Sequence, residues 1–362
     1  MNLNTMTNQL NNFNITSLNA KGLGNFKKRT AVFKWLKRVK SDISFVQEAH
    51  CTQQIENTWR KEWGGEIIYS HGKSNSKGCL IMINKNFDCE IIAVKNDFKG
   101  RFIILQIKIQ GELFVFINVY LPNTEKEQLE FYHDLSKVMH KHQITSERNI
   151  IMGGDWNIVK SVTMDKSGGA MNFKQKSLEK LDEIINKLKV NDTWRIKNPS
   201  KKRFTWRQNN PLIQCRLDFF LTSDHLYDKF TNFDILPSIH SDHSAITLSY
   251  QQIEDVKKGP GFWKFNNSLL NDEEFKRQLS NIIEKEKNAQ TENQDKRVQW
   301  EMLKYIIKQF CIKYSKNKQK KVKTRQQVLE IHLIDLEKQI STDETKMHEY
   351  EATKSELKLI GR

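Results

Sequence analysis

The chain has 362 residues, and its 59 Lys+Arg against 43 Asp+Glu leave a formal net charge of +16. That length allows one large domain plus an appendage, and the cationic surplus points to a polyanionic partner, nucleic acid before an anionic membrane surface. Five cysteines without CxxC spacing argue against a zinc site or a disulfide framework and fit a reducing compartment, and no signal-peptide core or run of about 18 apolar residues is present, so neither secretion nor membrane insertion is expected.

In chain order, Phe13–Leu18 reads as a strand. KRTAVFKWLKRV comes next, with Val32, Trp35, Leu36 and Val39 on one helical face. Ile43–Gln47 is a strand with a carboxylate at its end, and Cys79–Ile83, Phe102–Ile109 and Leu113–Tyr120 are strands rich in β-branched and aromatic residues. A helix over Lys126–His142 turns Leu129, Tyr132, Leu135 and Met139 inward. Asn149–Met152 is a buried strand, and Leu178, Leu181, Ile185 and Leu188 mark a further helix. Phe204–Trp206, Arg216–Leu221 and Ala245–Tyr250 complete the strands. Many strands with helices between them indicate packed sheets flanked by helices.

The pattern changes near residue 255. DVKKGPGF at 255–262 reads as a linker, and residues 262–360 contain neither Gly nor Pro. Trp300, Leu303, Ile307, Phe310 and Tyr314 recur at spacings of three and four, as do Leu329, Leu333, Leu336 and Ile340. This predicts helices forming an antiparallel pair or a coiled coil, with oligomerisation as one use. The basic run KNKQKKVK at 316–323 suits a solvated helix face, or else a nuclear-import or nucleic-acid patch. The expected division is 1–254 as a catalytic domain and 255–362 as a Lys-rich helical extension.

Polar residues stand where the apolar runs end. Asn19 succeeds the first strand in SLNAKGL, and Glu48 succeeds the next in FVQEAH. Tyr120 and Asn123 close NVYLPN, Asp155 and Asn157 close GGDWN, Asp218 lies in RLDFF, and Ser241, Asp242 and His243 precede the last strand in SDHSAI. Each alone has a bland explanation: a solvated strand end for Glu48, a turn for GGDWN, a structural partner of Arg216 for Asp218, a core aromatic for Tyr120, a capped loop for SDH. Together, strand ends that converge would make one pocket. Its residue types suit phosphodiester hydrolysis. Glu48 and Asp242 are hard-oxygen donors for Mg²⁺, directly or through water. His and Asp beside a phosphate make a proton relay or a charge clamp, and Asn19 and Asn157 donate without adding negative charge.

These motifs, in this order, resemble the endonuclease/exonuclease/phosphatase superfamily over about residues 13–250, and most of all the endonuclease module of LINE-type non-LTR retrotransposon polyproteins. GPGFWKFNNSLLNDEEF and the lysine-rich stretch after it resemble the region downstream of that module, which leads to the reverse transcriptase. The resemblance implies a DNase I-like α/β fold, a four-layer sandwich of two sheets, with the helical extension after it. It implies Mg²⁺, or Mn²⁺, held mainly by Glu48 with Asn19 and Asp242 assisting. Asp155 would activate or orient the attacking water and Asn157 would support it. His243, oriented by Asp218, would stabilise the transition state, and Tyr120 would be aimed at the phosphate. Thr205 and Ser241 would touch the DNA backbone or hold the site, and Asn123 would join them in binding DNA. The expected activity is DNA nicking to a 3′-OH and a 5′-phosphate, in the nucleus as the substrate requires, with element RNA as a further partner of the basic tail. The chain holds no YxDD polymerase motif. Rival readings are an abasic-site endonuclease or exonuclease of DNA repair, a lipid phosphodiesterase or phosphatase of the same superfamily, and a non-catalytic nucleic-acid-binding or assembly protein. RQNNPLIQC between Trp206 and Arg216 offers no aromatic wedge of the kind that abasic-site enzymes use.

Overall fold

The computed structural model describes residues 12–146, 148–170, 173–237, 240–251, 264–288, 295–340, 343 and 345–360. The linker expected at 255–262, and most of the N-terminal stretch read for a signal peptide, lie outside these. In chain order the first elements are β1 (Phe13–Asn19), α1 (Phe26–Arg38), β2 (Ile43–Gln47), α2 (Glu56–Trp63), β3 (Glu66–Ser70), β4 (Cys79–Ile83), β5 (Glu90–Asn96), β6 (Phe102–Ile109) and β7 (Glu112–Tyr120). Next come α3 (Glu125–Lys141), β8 (Asn149–Asp155), α4 (Val162–Asp165), β9 (Lys166–Ser167), α5 (Gln175–Leu188), β10 (Val190–Asp192), α6 (Thr193–Lys197), β11 (Trp206–Gln208) and β12 (Ile213–Cys215). The last are β13 (Asp218–Ser223), β14 (Phe230–Leu236), β15 (Ala245–Tyr250), α7 (Glu273–Asn288), α8 (Lys296–Gln339) and α9 (Lys346–Ile360).

Among the described residues two six-stranded sheets face each other, in the orders β14-β15-β1-β2-β4-β3 and β10-β13-β8-β7-β6-β5, beside a small sheet β11-β12-β9. The period-two alternation of a strand sorts side chains between two cores. From β6 and β7, Ile103, Leu105, Phe114 and Phe116 enter the layer between the sheets, where Phe45 of β2 meets Phe116 at 6.2 Å. Ile104, Val115, Ile117 and Val119 point the other way and pack against Tyr132 and Leu135 of α3 and Leu181 and Leu188 of α5. Strands covered on both faces are why these segments read as unbroken apolar runs. On the other side α1 and α2 pack together through Phe33 and Trp63, and the Trp63 indole donates to the Ile83 carbonyl of β4 at 2.8 Å. Helix/sheet/sheet/helix is the four-layer arrangement expected, with helices after it.

Local chemistry sets the helix ends. Asn25 caps α1 by accepting from the Lys28 amide, and Thr124 caps α3 by accepting from the Glu127 amide while its hydroxyl donates to the Glu127 carboxylate. The strands β3, β5 and β14 went unread in the sequence. β3 is a short sheet edge, and β5 is an edge strand whose Ile91, Ile92 and Val94 are largely exposed, so it lacks a one-faced pattern.

The chain divides into two compact units, Met1–Val256 with His332–Arg362, and Lys257–Ile331. The described residues of 264–360 are largely helical, and those from His332 onward belong with the first unit. The two apolar series expected to pair both run along α8, which no Gly or Pro interrupts. In the second unit Leu269, Phe275 and Cys311 form a small core with Phe265, Ile307, Phe310 and Tyr314. Its Asp272 accepts from the Tyr314 hydroxyl at 3.0 Å and from Lys318 at 2.5 Å.

Candidate active site

Strand polarity gathers the site. β1 runs parallel to β2, and β7 parallel to β8, so Asn19, Gln47, Tyr120 and Asp155 all end at one edge. β13 and β15 run antiparallel to their neighbours and begin there, which puts Asp218 opposite Asp155 and leaves His243 just before β15. Beneath this edge the Gln47 amide donates to Asn118 Oδ1 at 2.7 Å, and Asn118 donates to the carbonyls of Leu80 and Val46. These buried bonds fix one sheet against the other directly under the pocket.

Two carboxylates from different sheets meet at one amide. Asn19 Nδ2 donates to Asp155 Oδ2 at 2.9 Å and to Glu48 Oε1 at 3.2 Å, while its oxygen accepts from the Lys21 amide. The Tyr120 hydroxyl donates to Glu48 Oε1 at 2.6 Å. Asn157 donates to Asp155 through its backbone at 3.0 Å and its side chain at 3.3 Å, and also to the Leu121 carbonyl. Glu48 and Asn157 both have left-handed backbone, φ +48° and +47°, a conformation that costs a non-glycine residue on the order of 1 kcal/mol or more and concentrates at functional sites. The glycines of GGD serve close packing rather than the turn first considered for them. A Cβ on Gly153 would strike the Phe220 ring, and one on Gly154, φ +146°, would strike the Val119 carbonyl.

His243 Nδ1 lies 2.9 Å from Asp218 Oδ2, and both side chains are buried. Burial alone would push the imidazole pKa down. The charges of Asp218 and Asp155 outweigh it and raise the pKa to about 10, so His243 is an imidazolium at neutral pH. Asp155 is raised, first by its burial and then by the Asp218 charge, against the pull of His243 and Asn19. Arg216, the bland partner for Asp218, instead bonds Asp165 and Asp192 at 2.7 Å each. Tyr120 is raised by burial and then by Glu48, so its hydroxyl stays protonated and donates.

Asp242 accepts from Lys21 Nζ at 2.8 Å, and the Ser241 hydroxyl lies 3.4 Å from its other oxygen and accepts from the His243 amide. Its burial favours protonation, but Lys21 and His243 prevail and hold its pKa low. Thr205 is fully buried, and its hydroxyl accepts from the Leu217 and Asp218 amides. It therefore has no exposed atom to offer DNA and instead holds the start of β13. Glu48, Asn123, Asp155, Asn157, Asp242 and His243 line one cavity of about 400 Å³, with Asn19, Tyr120 and Asp218 bonded behind them. The cavity also has Lys21, Lys174, Phe173 and Trp206 in its wall, none of which was singled out from the sequence. Lys174 donates to the Asn157 carbonyl at 2.7 Å. Lys21 sits inside SLNAKGL and Trp206 inside RFTW, so position within a motif was the available signal.

Among the described residues Asp155, Asp218 and His243 form a group that could hold a metal, their ligand atoms within 4.8 Å of one another. A charged imidazolium has no lone pair to give, which leaves carboxylates as the donors for a cation. Glu48, Asp155 and Asp242 also line the cavity, and their carboxylate oxygens are hard donors of the kind a small divalent cation takes. No helix among the described residues is long and apolar enough to cross a membrane.

A family profile described as "Endonuclease/Exonuclease/phosphatase family" matches residues 10–243. The Xenopus laevis "Transposon TX1 uncharacterized 149 kDa protein" is 28% identical over 333 residues, 91% of this chain. The chain spans 25% of that relative's length. Among solved structures, the AP endonuclease LMAP from Leishmania major matches with a TM-score of 0.56 and 15% identity, covering 67% of this chain and 88% of that one. The Xenopus laevis APE2 catalytic domain matches at 0.55 and 17%, covering 67% and 94%. A Neisseria 3′ phosphatase, NExo, bound to product DNA hairpin, matches at 0.53 and 16%, covering 66% and 99%. At these identities the structural likeness establishes the fold.

Proposed function

The chain belongs to the endonuclease/exonuclease/phosphatase family, and we propose that within it the protein is a Mg²⁺-dependent DNA endonuclease that nicks target DNA for a LINE-type retrotransposon. The observation that carries this reading is the meeting of Glu48, Asn19 and Asp155 across the two sheets, in one pocket with the Asp218–His243 pair. The transposon relative and the net charge of +16 support DNA as the substrate and a mobile element as the setting.

Glu48 would hold the divalent ion, with Asp242 assisting from the same cavity and Asn19 fixing the carboxylates of Glu48 and Asp155. When bound it would neutralise charge on the phosphate and the leaving oxygen. Asp155, raised by burial, is suited to take a proton from the attacking water, and Asn157 and Asn19 hold its oxygens in place. His243, kept charged by Asp218, donates to the non-bridging phosphate oxygens as charge grows on them. Attack opposite the 3′ oxygen would break the P–O3′ bond, and the departing oxygen, protonated from solvent, would become the 3′-OH, leaving a 5′-phosphate. Tyr120 orients Glu48, and Asn123 at the rim is placed to bind the strand.

Supercoiled plasmid relaxation with Mg²⁺ tests this, beside a duplex carrying one abasic site. Wild type is expected to nick the plasmid, and Asp155→Ala and His243→Ala to lose nicking while still binding DNA. Wild-type rates in both variants would remove the assigned roles, and strong preference for the abasic duplex would move the protein to repair.

A further inference from the structure

The end of the chain packs on the first unit beside the loop that carries His243. His332–Gln339, the end of α8, buries Leu333 and Leu336, and α9 buries Tyr350, Thr353 and Leu357. Glu337, only 3% exposed, lies 3.1 Å from Arg207 and 3.5 Å from Arg203, and it accepts from the Tyr350 hydroxyl at 3.4 Å. Arg207 in turn lies 3.4 Å from the Ser244 hydroxyl, donates to the Phe204 carbonyl, and sits over the Tyr350 ring at 5.6 Å. Lys354 of α9 reaches the Ser241 carbonyl at 3.4 Å.

Ser241 and Ser244 flank Asp242 and His243. The two contacts therefore hold the catalytic loop from both sides, across 113 residues of chain in the case of Lys354. A third tie comes from β11, where Trp206, the neighbour of Arg207, bridges His243 and the Ser244 amide donates to the Thr205 carbonyl. Burying Glu337 with Arg207 contributes little net stability, but losing one partner leaves a buried charge unpaired, so the pair fixes a geometry more than it adds free energy. Lys354 is half-buried, and desolvation, with Lys358 and Arg207 nearby, lowers its pKa; the Ser241 carbonyl and the charges of Glu351 and Asp242 act against that.

We propose that residues 332–360 act as a clamp on the catalytic loop, with Glu337 and Lys354 as positioning residues that set Ser241–Ser244, and through it His243, for phosphodiester cleavage. The proposal rests on the nuclease reading of the pocket. The alternative is a helical segment that merely covers apolar surface.

The test uses the full chain, with Lys354→Met, Glu337→Gln and Lys354→Arg, and reads plasmid nicking together with amide hydrogen exchange. Lys354→Met and Glu337→Gln are expected to lower kcat about 10- to 100-fold, as a misplaced group does, with KM within about two-fold of wild type. Exchange is expected to quicken at residues 241–244 and stay unchanged along β8, and Lys354→Arg is expected to restore most of kcat. Unaltered kcat and exchange in both variants would overturn the clamp. Exchange that rises equally in β8 would overturn it too, since it marks general loosening. If wild type fails to nick DNA, the nuclease reading falls, while exchange at 241–244 still decides whether the clamp exists.

Discussion

His243 keeps its proton because two carboxylates outweigh the burial that would remove it. A group with its pKa raised in this way is charged below the raised value and neutral above it. The nicking rate is therefore expected to rise as Asp155, raised to about 7 by burial and then by the Asp218 charge, gives up its proton, and to fall as pH rises through about 10. Asp218→Asn withdraws the larger of the two charges. We expect its alkaline limb to move to lower pH and its kcat to drop about 100-fold or more, measured as a pH–rate profile beside wild type. At this scale the pocket was readable because its acids, amides and His interrupt apolar runs, where nothing but function explains so many polar side chains in sequence. Lysines were not readable. Lys21 and Lys174 resemble any solvated lysine until the fold turns them toward Asp242 and the Asn157 carbonyl. Thr205 stands beside a pocket residue in sequence, yet its hydroxyl is used up on two backbone amides.

Elements are joined near the site by a buried ionic knot. Arg216, at the entrance to β13, bonds Asp165 at the end of α4 and Asp192 at the end of β10, and Arg195 of α6 joins them. Asp165 would be raised by burial, but Arg216 and then Arg195 hold it below the ordinary carboxylate range. A depressed folded-state pKa contributes stability above the unfolded value, near 4, that is lost as pH falls through the lower one. Asp165→Asn is expected to cost about 3–5 kcal/mol in urea unfolding at pH 7, because Arg216 is left short of a partner, and to flatten the acid dependence of stability. Gly154→Ala sets a methyl against the Val119 carbonyl at a left-handed residue, and a loss of about 2–4 kcal/mol in the same measurement is expected. Strands buried on both faces declared themselves in sequence through unbroken Val, Ile and Phe. The edge strand β5 buries neither face and so shows no period, and β10 and β12, at three residues each, carry too few side chains to show one.

Charge is a property of the whole chain. Both its parts are cationic, +11 over residues 1–250 and +5 over 251–362. DNA binding led by phosphate contacts loses affinity linearly in log salt. We expect a fall of about 1,000-fold between 50 and 200 mM salt for some six contacts, read by fluorescence anisotropy with EDTA present, while EDTA itself stops nicking. The sheet sandwich was legible at this scale, but the role of the last helix was not. Glu337 and Lys354 sit in a Lys- and Glu-rich stretch that looks like any wet helical face, and their partners lie far back in the chain, at Arg203, Arg207 and Ser241. The bonds that Asn19 and Tyr120 send from sheet to sheet make the reacting centre a rivet between the layers as well. Any excursion that parts the sheets dismantles the ligand cage in the same stroke. Heating or denaturant should then extinguish cleavage as a single event, with no half-competent species in between.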